Sequence, residues 1–344
     1  MTADERHRRK KRRISRILET DKGRKLAIAS AVGVAGIGAF GASVDTPTPT
    51  EQPSFDDPVK DAVAKTMVQR LAGQGWDLPN VDHERVDFWV DRFQNNPDMR
   101  EKFEGFLTRA GQYVPMLSIK LAERDMPNDL IFLAMIESGF DPTAYSQAHA
   151  SGIWQFIAET GRRYGLRVNH AVDERNHPEK ATEAALDYLT ELHDRFDSWY
   201  LAAAAYNTGE NRVGRIMREE FGTEKASSEQ DYYKIWDRLP RETRDYVPLM
   251  IAAARIAKDP GTYGFDHIVP MAPEHIEEIE AAPGTPLASI ADAAGVDAQT
   301  IVALNPHITG ARTPSDATYP VRVPGGSTDR IAAAMGDTGT RTAQ

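Results

Sequence analysis

The chain has 344 residues, room for two or three domains, and its 41% hydrophobic residues supply enough apolar surface for a buried core. It contains no cysteine, which excludes disulfides, thiolate catalysis, cysteine-ligated metals and a lipid-modified N-terminal cysteine. The net charge of −10 is unevenly spread: residues 1–25 hold 11 Lys/Arg against 4 Asp/Glu, while the rest holds 30 against 47, an acidic body that argues against nucleic acid as the main partner.

The basic stretch 1–25 leads into residues 26–44, LAIASAVGVAGIGAFGASV, which carry no charge. As a helix this segment is about 28 Å long, close to the hydrocarbon thickness of a bilayer. Lys and Arg ahead of it predict a cytoplasmic N-terminus and an exported body. Two readings are open, a transmembrane anchor or a signal segment cleaved near the small residues Ala39 and Gly41. The run from Gly36 to Gly41 formally satisfies GxGxxG, but no strand-turn-helix unit surrounds it and no acidic residue follows at the right distance, so it is a chance match. Residues 45–58, DTPTPTEQPSFDDP, have the composition of an extended linker.

From residue 59 the pattern turns helical, and 59–111 read as a leader of amphipathic helices. Val63, Met67, Val68 and Leu71 fall at helical spacing, then Val86, Trp89, Val90 and Phe93, then Phe103, Phe106 and Leu107 in a helix over 98–110. The aromatic residues read as core. A dense helical region follows over 112–265. Pro127, Asn128 and Asp129 cap a helix whose residues 130–136 are apolar on every side and therefore buried. Further helices are expected over 181–196, 199–206 and 243–258, the last stopped by Pro260 and Gly261.

After a linker over 264–275, residues 276–326 read as a small βααβ unit. It comprises a strand at 276–279, a turn at Gly284, Thr285 and Pro286, helices over 287–294 and 298–305, and a strand at 318–323. The tail 327–344 is small and polar and reads as disordered.

The chemistry concentrates in three places. Glu137 ends the apolar helix, where loss of solvent disfavours its charged form and lets it hold a proton near neutral pH. The competing reading is a structural ion pair with Arg124 or Arg162. Ser146 offers a hydroxyl to the carboxyl or to a sugar, and Gln155, in Gly152-Ile153-Trp154-Gln155-Phe156, offers an amide donor and acceptor, with Trp154 as core. Tyr206 and Asn207 close a helix before Thr208 and Gly209 turn the chain, so both can face a cleft. A protonated carboxyl in a cleft is what breaking a glycosidic bond requires. The nine histidines include no HExxH arrangement, and no GxSxG is present, against a metal-dependent or serine hydrolase.

Together Glu137-Ser138, Ser146, Gly152-x-Trp-Gln-Phe, Val172-Asp-Glu-Arg, Ala205-Tyr-Asn-Thr-Gly and Leu239-Pro-Arg-Glu-Thr-Arg-Asp-Tyr-Val resemble the lysozyme-like catalytic domain of the family 1 lytic transglycosylases. Tyr113-Val114-Pro115-Met116 and Trp154 narrow the resemblance to the membrane-bound D branch of that family, over about residues 85–325. The resemblance implies a mainly α fold: a lysozyme-like (α+β) catalytic domain with an N-terminal helical leader and a small C-terminal domain. It implies cleavage of the bond between N-acetylmuramic acid and N-acetylglucosamine, with Glu137 as acid and then base and a 1,6-anhydro end as product. Ser146, Gln155, Tyr206 and Asn207 match positions that orient the sugar, Tyr246 matches a cleft tyrosine near the acid, and Ser138 a residue supporting it. No second carboxylate pairs with Glu137 inside these motifs, which suits assistance by the substrate's own acetamido group. No cofactor or metal is implied. The partners are peptidoglycan strands and, through 26–44, a membrane, in the cell envelope. A hydrolytic muramidase and an inert wall-binding scaffold are the alternatives.

The C-terminal unit resembles a LysM module through Gly284-Thr-Pro-Leu, Ile290-Ala, Gly295-Val, Leu304-Asn305-Pro306 and Val321-Arg-Val-Pro. It departs from that pattern at Pro286 and in an inserted loop over 309–317. Sugar binding and a purely structural role, packed on the catalytic domain, are both open.

Overall fold

The computed structural model describes residues 75–336. The basic stretch, the segment 26–44, the linker 45–58, the first leader helix and residues 337–344 lie outside the described residues.

Helix α1 (Glu84–Asn95) begins where His83 accepts the Arg85 N–H at 3.1 Å, and it buries Val86, Trp89 and Phe93 along one face. Helix α2 (Pro97–Ala122) is capped by the Asn96 side chain and carries Pro97 in its first turn. Sequence periodicity ends this helix at 110 and divides leader from domain at 111/112, but α2 crosses that point and runs on through Pro115. Val114, Leu117 and Leu121 continue the buried face of Met99, Phe103, Leu107 and Ala110. Burial of that longer face outweighs a proline cost of about 3 kcal/mol.

A 3₁₀ turn (Asn128–Leu130) leads into α3 (Ile131–Ser138), whose residues are buried from Ile131 to Glu137. Asp129 is not a cap here. One of its carboxylate oxygens accepts the N–H groups of Asp77 and Leu78 at 2.9 and 3.0 Å, and the other pairs with Lys258 at 2.6 Å. This buried pair ties the segment ahead of α1 to Lys258, at the end of the last long helix of the helical body.

Helices α4 (Ala158–Arg163), α5 (Pro178–Phe196), α6 (Trp199–Thr208), α7 (Glu210–Phe221), α8 (Asp231–Lys234) and α9 (Arg241–Lys258) complete the helical body. Every residue of α6 from Tyr200 onward is buried, and α9 packs against α1, α3 and α6. That packing brings Tyr246 on α9 to the end of α3.

The C-terminal unit has the βααβ order: β1 (Ile276–Ala281), α10 (Leu287–Ala294), α11 (Ala298–Leu304) and β2 (Tyr319–Pro324). The strands pair antiparallel, Ile276 opposite Pro324 and Ala281 opposite Tyr319. The tail is not disordered from residue 327, because α12 (Thr328–Met335) follows. Ile331 buries itself in the core of the unit, Thr328 Oγ1 donates to Glu277 at 2.8 Å, and Arg330 donates to the Ala294 carbonyl at 2.7 Å. One apolar turn among small residues is too short to register as periodicity. The unit has its own apolar core, which Val172 of the helical body joins.

Candidate active site

Glu137 sits one residue before the end of α3, only 5% exposed. Gly139 then turns the chain in the left-handed region at φ 62°, where an added Cβ would collide with the Phe106 ring. The Arg109 Nε donates to the Gly139 carbonyl at 2.7 Å and fixes this turn. Nothing in the sequence spacing of Arg109 announces this partner 30 residues away.

Neither of the ion pairs open to Glu137 in the sequence forms. Arg124 pairs with Glu183 and Asp187, and Arg162 donates to the Val168 carbonyl. Glu137 instead accepts a short hydrogen bond at Oε1 from the Tyr246 hydroxyl. Burial pushes its carboxyl up to about 7, with the Tyr246 hydroxyl opposing that rise. The Tyr246 and Tyr206 hydroxyls are themselves pushed up by burial and then by the Glu137 charge, so both stay protonated donors beside the carboxyl. A buried carboxyl that is half-protonated near neutrality is able to give a proton and take one back.

Residues 144–156 form a tight double-bridged loop, with Tyr145 opposite Ser151 and Ser151 opposite Phe156. Of the five non-glycine residues with positive φ among the described residues, three lie between 140 and 155: Phe140, His149 and Gln155. Such conformations cost of order 1–3 kcal/mol each and must be held by surrounding bonds. The Ser138 hydroxyl helps, donating to the Ile153 carbonyl at 2.9 Å and accepting the Asp141 N–H at 3.1 Å.

Tyr206 lies close enough to feel the Glu137 charge, and the remaining sequence-derived residues are partly committed to protein partners. The Ser146 Oγ accepts the Ala150 N–H at 3.0 Å and keeps its own proton to give. Gln155 spends its amide donors on the Ala144 and Gly152 carbonyls, at 3.1 and 3.0 Å, so only its carbonyl oxygen is left for a ligand. The Tyr206 hydroxyl donates to the Trp154 carbonyl at 2.8 Å, while Trp154 itself is core and bonds Thr182. Asn207 accepts the Thr243 hydroxyl at 2.8 Å, and its buried Nδ2 has no hydrogen-bond partner among the described residues. Thr243 orients Asn207 and lies one turn before Tyr246 on α9, a spacing that placed both on one face and was available in the sequence.

A cavity of about 280 Å3 lies elsewhere, between α2 and the C-terminal unit, lined by Tyr113, Met116, Glu179, His275, Leu304 and Arg322 among others. Glu137 does not line it.

Residues 116–228 match the Transglycosylase SLT domain family. Over 224 residues, 65% of this chain, the sequence is 33% identical to membrane-bound lytic murein transglycosylase D of Escherichia coli, covering 48% of that protein. It is 37% identical to peptidoglycan transglycosylase gp16 of Escherichia phage T7 over 36% of this chain and 9% of that one, and 38% identical to a putative tributyltin chloride resistance protein of an Alteromonas species over 32% and 53%. The chain thus contains a transglycosylase SLT domain and is homologous to lytic murein transglycosylase D. It spans about half the length of that relative. The family match does not extend to the C-terminal unit, and no LysM assignment comes from it.

Proposed function

We propose that this chain is a peptidoglycan lytic transglycosylase. The observation that carries the reading is Glu137, a buried carboxyl raised to about 7 at the end of an apolar helix inside an SLT domain. The relatives named above as murein or peptidoglycan transglycosylases supply the substrate class.

In this reading the Tyr246 hydroxyl occupies Glu137 Oε1, which leaves the proton to Oε2. That proton passes to the oxygen joining N-acetylmuramic acid to N-acetylglucosamine, and the C1–O bond breaks through an oxocarbenium-like state assisted by the acetamido oxygen. The ionised Glu137 then takes the proton from the muramic acid's own 6-hydroxyl, whose oxygen closes on C1. No water is consumed, and the product ends in a 1,6-anhydro sugar. Burial and Tyr246 are the two influences on the Glu137 proton, and neither is a second carboxylate, which supports substrate assistance. Asn207 Nδ2, oriented through Thr243, is the uncommitted donor for an acetamido carbonyl, and the Ser146 hydroxyl and Gln155 carbonyl orient the sugar beside it. The same reading places the body in the cell envelope, with residues 26–44 as anchor or cleaved signal.

The test is release of soluble fragments from purified sacculi by the full chain and by Glu137→Gln. Release by the first and not the second is expected. Equal release would remove Glu137 from the chemistry, and binding without release by either would make the chain a scaffold.

A further inference from the structure

Residues 170–177 are held from two sides. On one side stands the C-terminal unit. The Asp173 N–H donates to the His307 carbonyl at 2.8 Å, the Thr309 N–H and hydroxyl donate to the Ala171 and His170 carbonyls at 3.1 and 2.7 Å, and Val172 bridges to Ile308. The Val172 side chain is fully buried in the core of that unit, so this edge is part of its fold. The Tyr319 hydroxyl on β2 reaches across to Glu174 Oε1 at 2.8 Å. Glu174 is the junction: Lys180 donates to the same oxygen at 2.6 Å, and the Arg167 N–H to the other at 2.7 Å. Burial opposes ionisation of Glu174, but these donors hold its carboxyl below the ordinary range.

On the other side stands the loop with Ser146 and Gln155. Arg175, locked by Asp173 at 2.6 and 2.8 Å, donates through Nη1 to the His149 and Phe156 carbonyls at 2.7 and 2.9 Å. Asn176 accepts the Ser151 hydroxyl at 2.6 Å, and Gly152 packs so closely on the Arg175 carbonyl that a Cβ there would collide with it. His149, Gly152 and Gln155 all have positive φ, so the loop's conformation needs outside support.

The insertion over 309–317 explains why the unit can serve this purpose. Its backbone is spent on the turn 282–287, with Leu287 N–H to the Ala311 carbonyl at 2.9 Å, Thr313 N–H to Thr285 at 2.9 Å and Gly284 N–H to Pro314 at 3.0 Å. Thr309, at its start, faces the helical body. The loop that departs from the LysM pattern is therefore a stiffened docking element.

We infer that the C-terminal unit is a brace that positions the sugar-binding loop 144–156, acting through Glu174 and Arg175 as positioning residues. The effect on glycan binding rests on the transglycosylase reading; the mechanical coupling does not.

The experiment uses the full chain with Tyr319→Phe, which removes one hydroxyl at the junction, with Arg175→Lys, and with both. Backbone hydrogen exchange is read over 144–156, over α3 and over the C-terminal unit, alongside KM and kcat on soluble glycan strands. Tyr319→Phe is expected to speed exchange over 144–156 by about three- to tenfold and leave α3 unchanged, the share of a charge-assisted hydrogen bond that reaches the loop. KM rises with it while kcat stays within about twofold. In the double variant the two effects combine to less than their product, because both loosen one path. Faster exchange confined to the C-terminal unit, or effects of the two substitutions that simply multiply, would overturn the brace. If no variant cleaves glycan, the functional reading fails, and exchange alone still decides the inference.

Discussion

Replacing Glu137 by Gln should make the protein more stable, and by an amount that depends on pH. The buried carboxyl is raised from an ordinary value near 4.5 to about 7, with burial as the cause. The folded state therefore holds a proton that the unfolded state releases, and between these two values folding loses stability as pH rises. Below about 4.5 the acid is neutral in both states and costs nothing. Above about 7 the fold carries a buried charge, and the gap in proton affinity corresponds to about 3 kcal/mol. Gln has the same shape and stays neutral, and its carbonyl still accepts the Tyr246 hydroxyl. The expected gain is close to zero at pH 4.5, about 2 kcal/mol at pH 6 and about 3 kcal/mol at pH 8. Urea denaturation of the full chain and of Glu137→Gln at those three values reads it directly. A gain independent of pH, or a loss at pH 8, would refute the claim that Glu137 is a desolvated acid.

Other consequences concern the neighbours. Tyr246→Phe removes the donor that opposes the rise of Glu137, so the alkaline limb of activity should move to higher pH; a limb that stays or moves down in the pH–rate profile contradicts the hydrogen bond's role. His307 is fully buried, has no hydrogen-bond partner at either ring nitrogen among the described residues, and is held down to about 2 by burial and then by the nearby His177, Lys180 and Arg322. Its neutral form is full-strength above an unfolded value near 6.5 and its contribution is lost as pH falls below that, so His307→Phe should gain about 2 kcal/mol relative to the parent at pH 5 over pH 8 in thermal or urea unfolding. Lys258→Met strands the buried Asp129 carboxylate and should cost about 3–5 kcal/mol, with Asp129→Asn added to it recovering part of the loss in the urea midpoint.

The sequence made the chemistry legible more readily than its supports. Glu137 announced itself because seven apolar residues precede it on one helix, and burial of that helix is a local property of the pattern. The βααβ order was legible because turn residues separate short periodic runs, with strand ends differing by one or two residues from those found. The extent of α2 was not, since its plain apolar spacing fades after 110, while the face that carries the helix on through Gly111 and Pro115 is buried by distant helices. Asp129 read as a helix cap because capping is local; its true partners, the Asp77 and Leu78 N–H groups and Lys258, lie about 50 and 130 residues away. The amide of Gln155 looked free for a sugar because its two carbonyl partners are set by a loop whose positive φ angles no pattern encodes. The Val172-Asp-Glu-Arg motif was visible, but its function as a link between two units required the contacts on both of its sides.

In the proposed reaction the bond is broken without water. The most direct measurement is digestion of purified peptidoglycan by the full chain in water enriched in heavy oxygen, with mass spectrometry of the muropeptides. The expected products are 1,6-anhydro-muramic acid ends that carry no heavy oxygen and are lighter by one water than reducing ends. Reducing ends labelled with heavy oxygen would contradict it and make the enzyme a hydrolase.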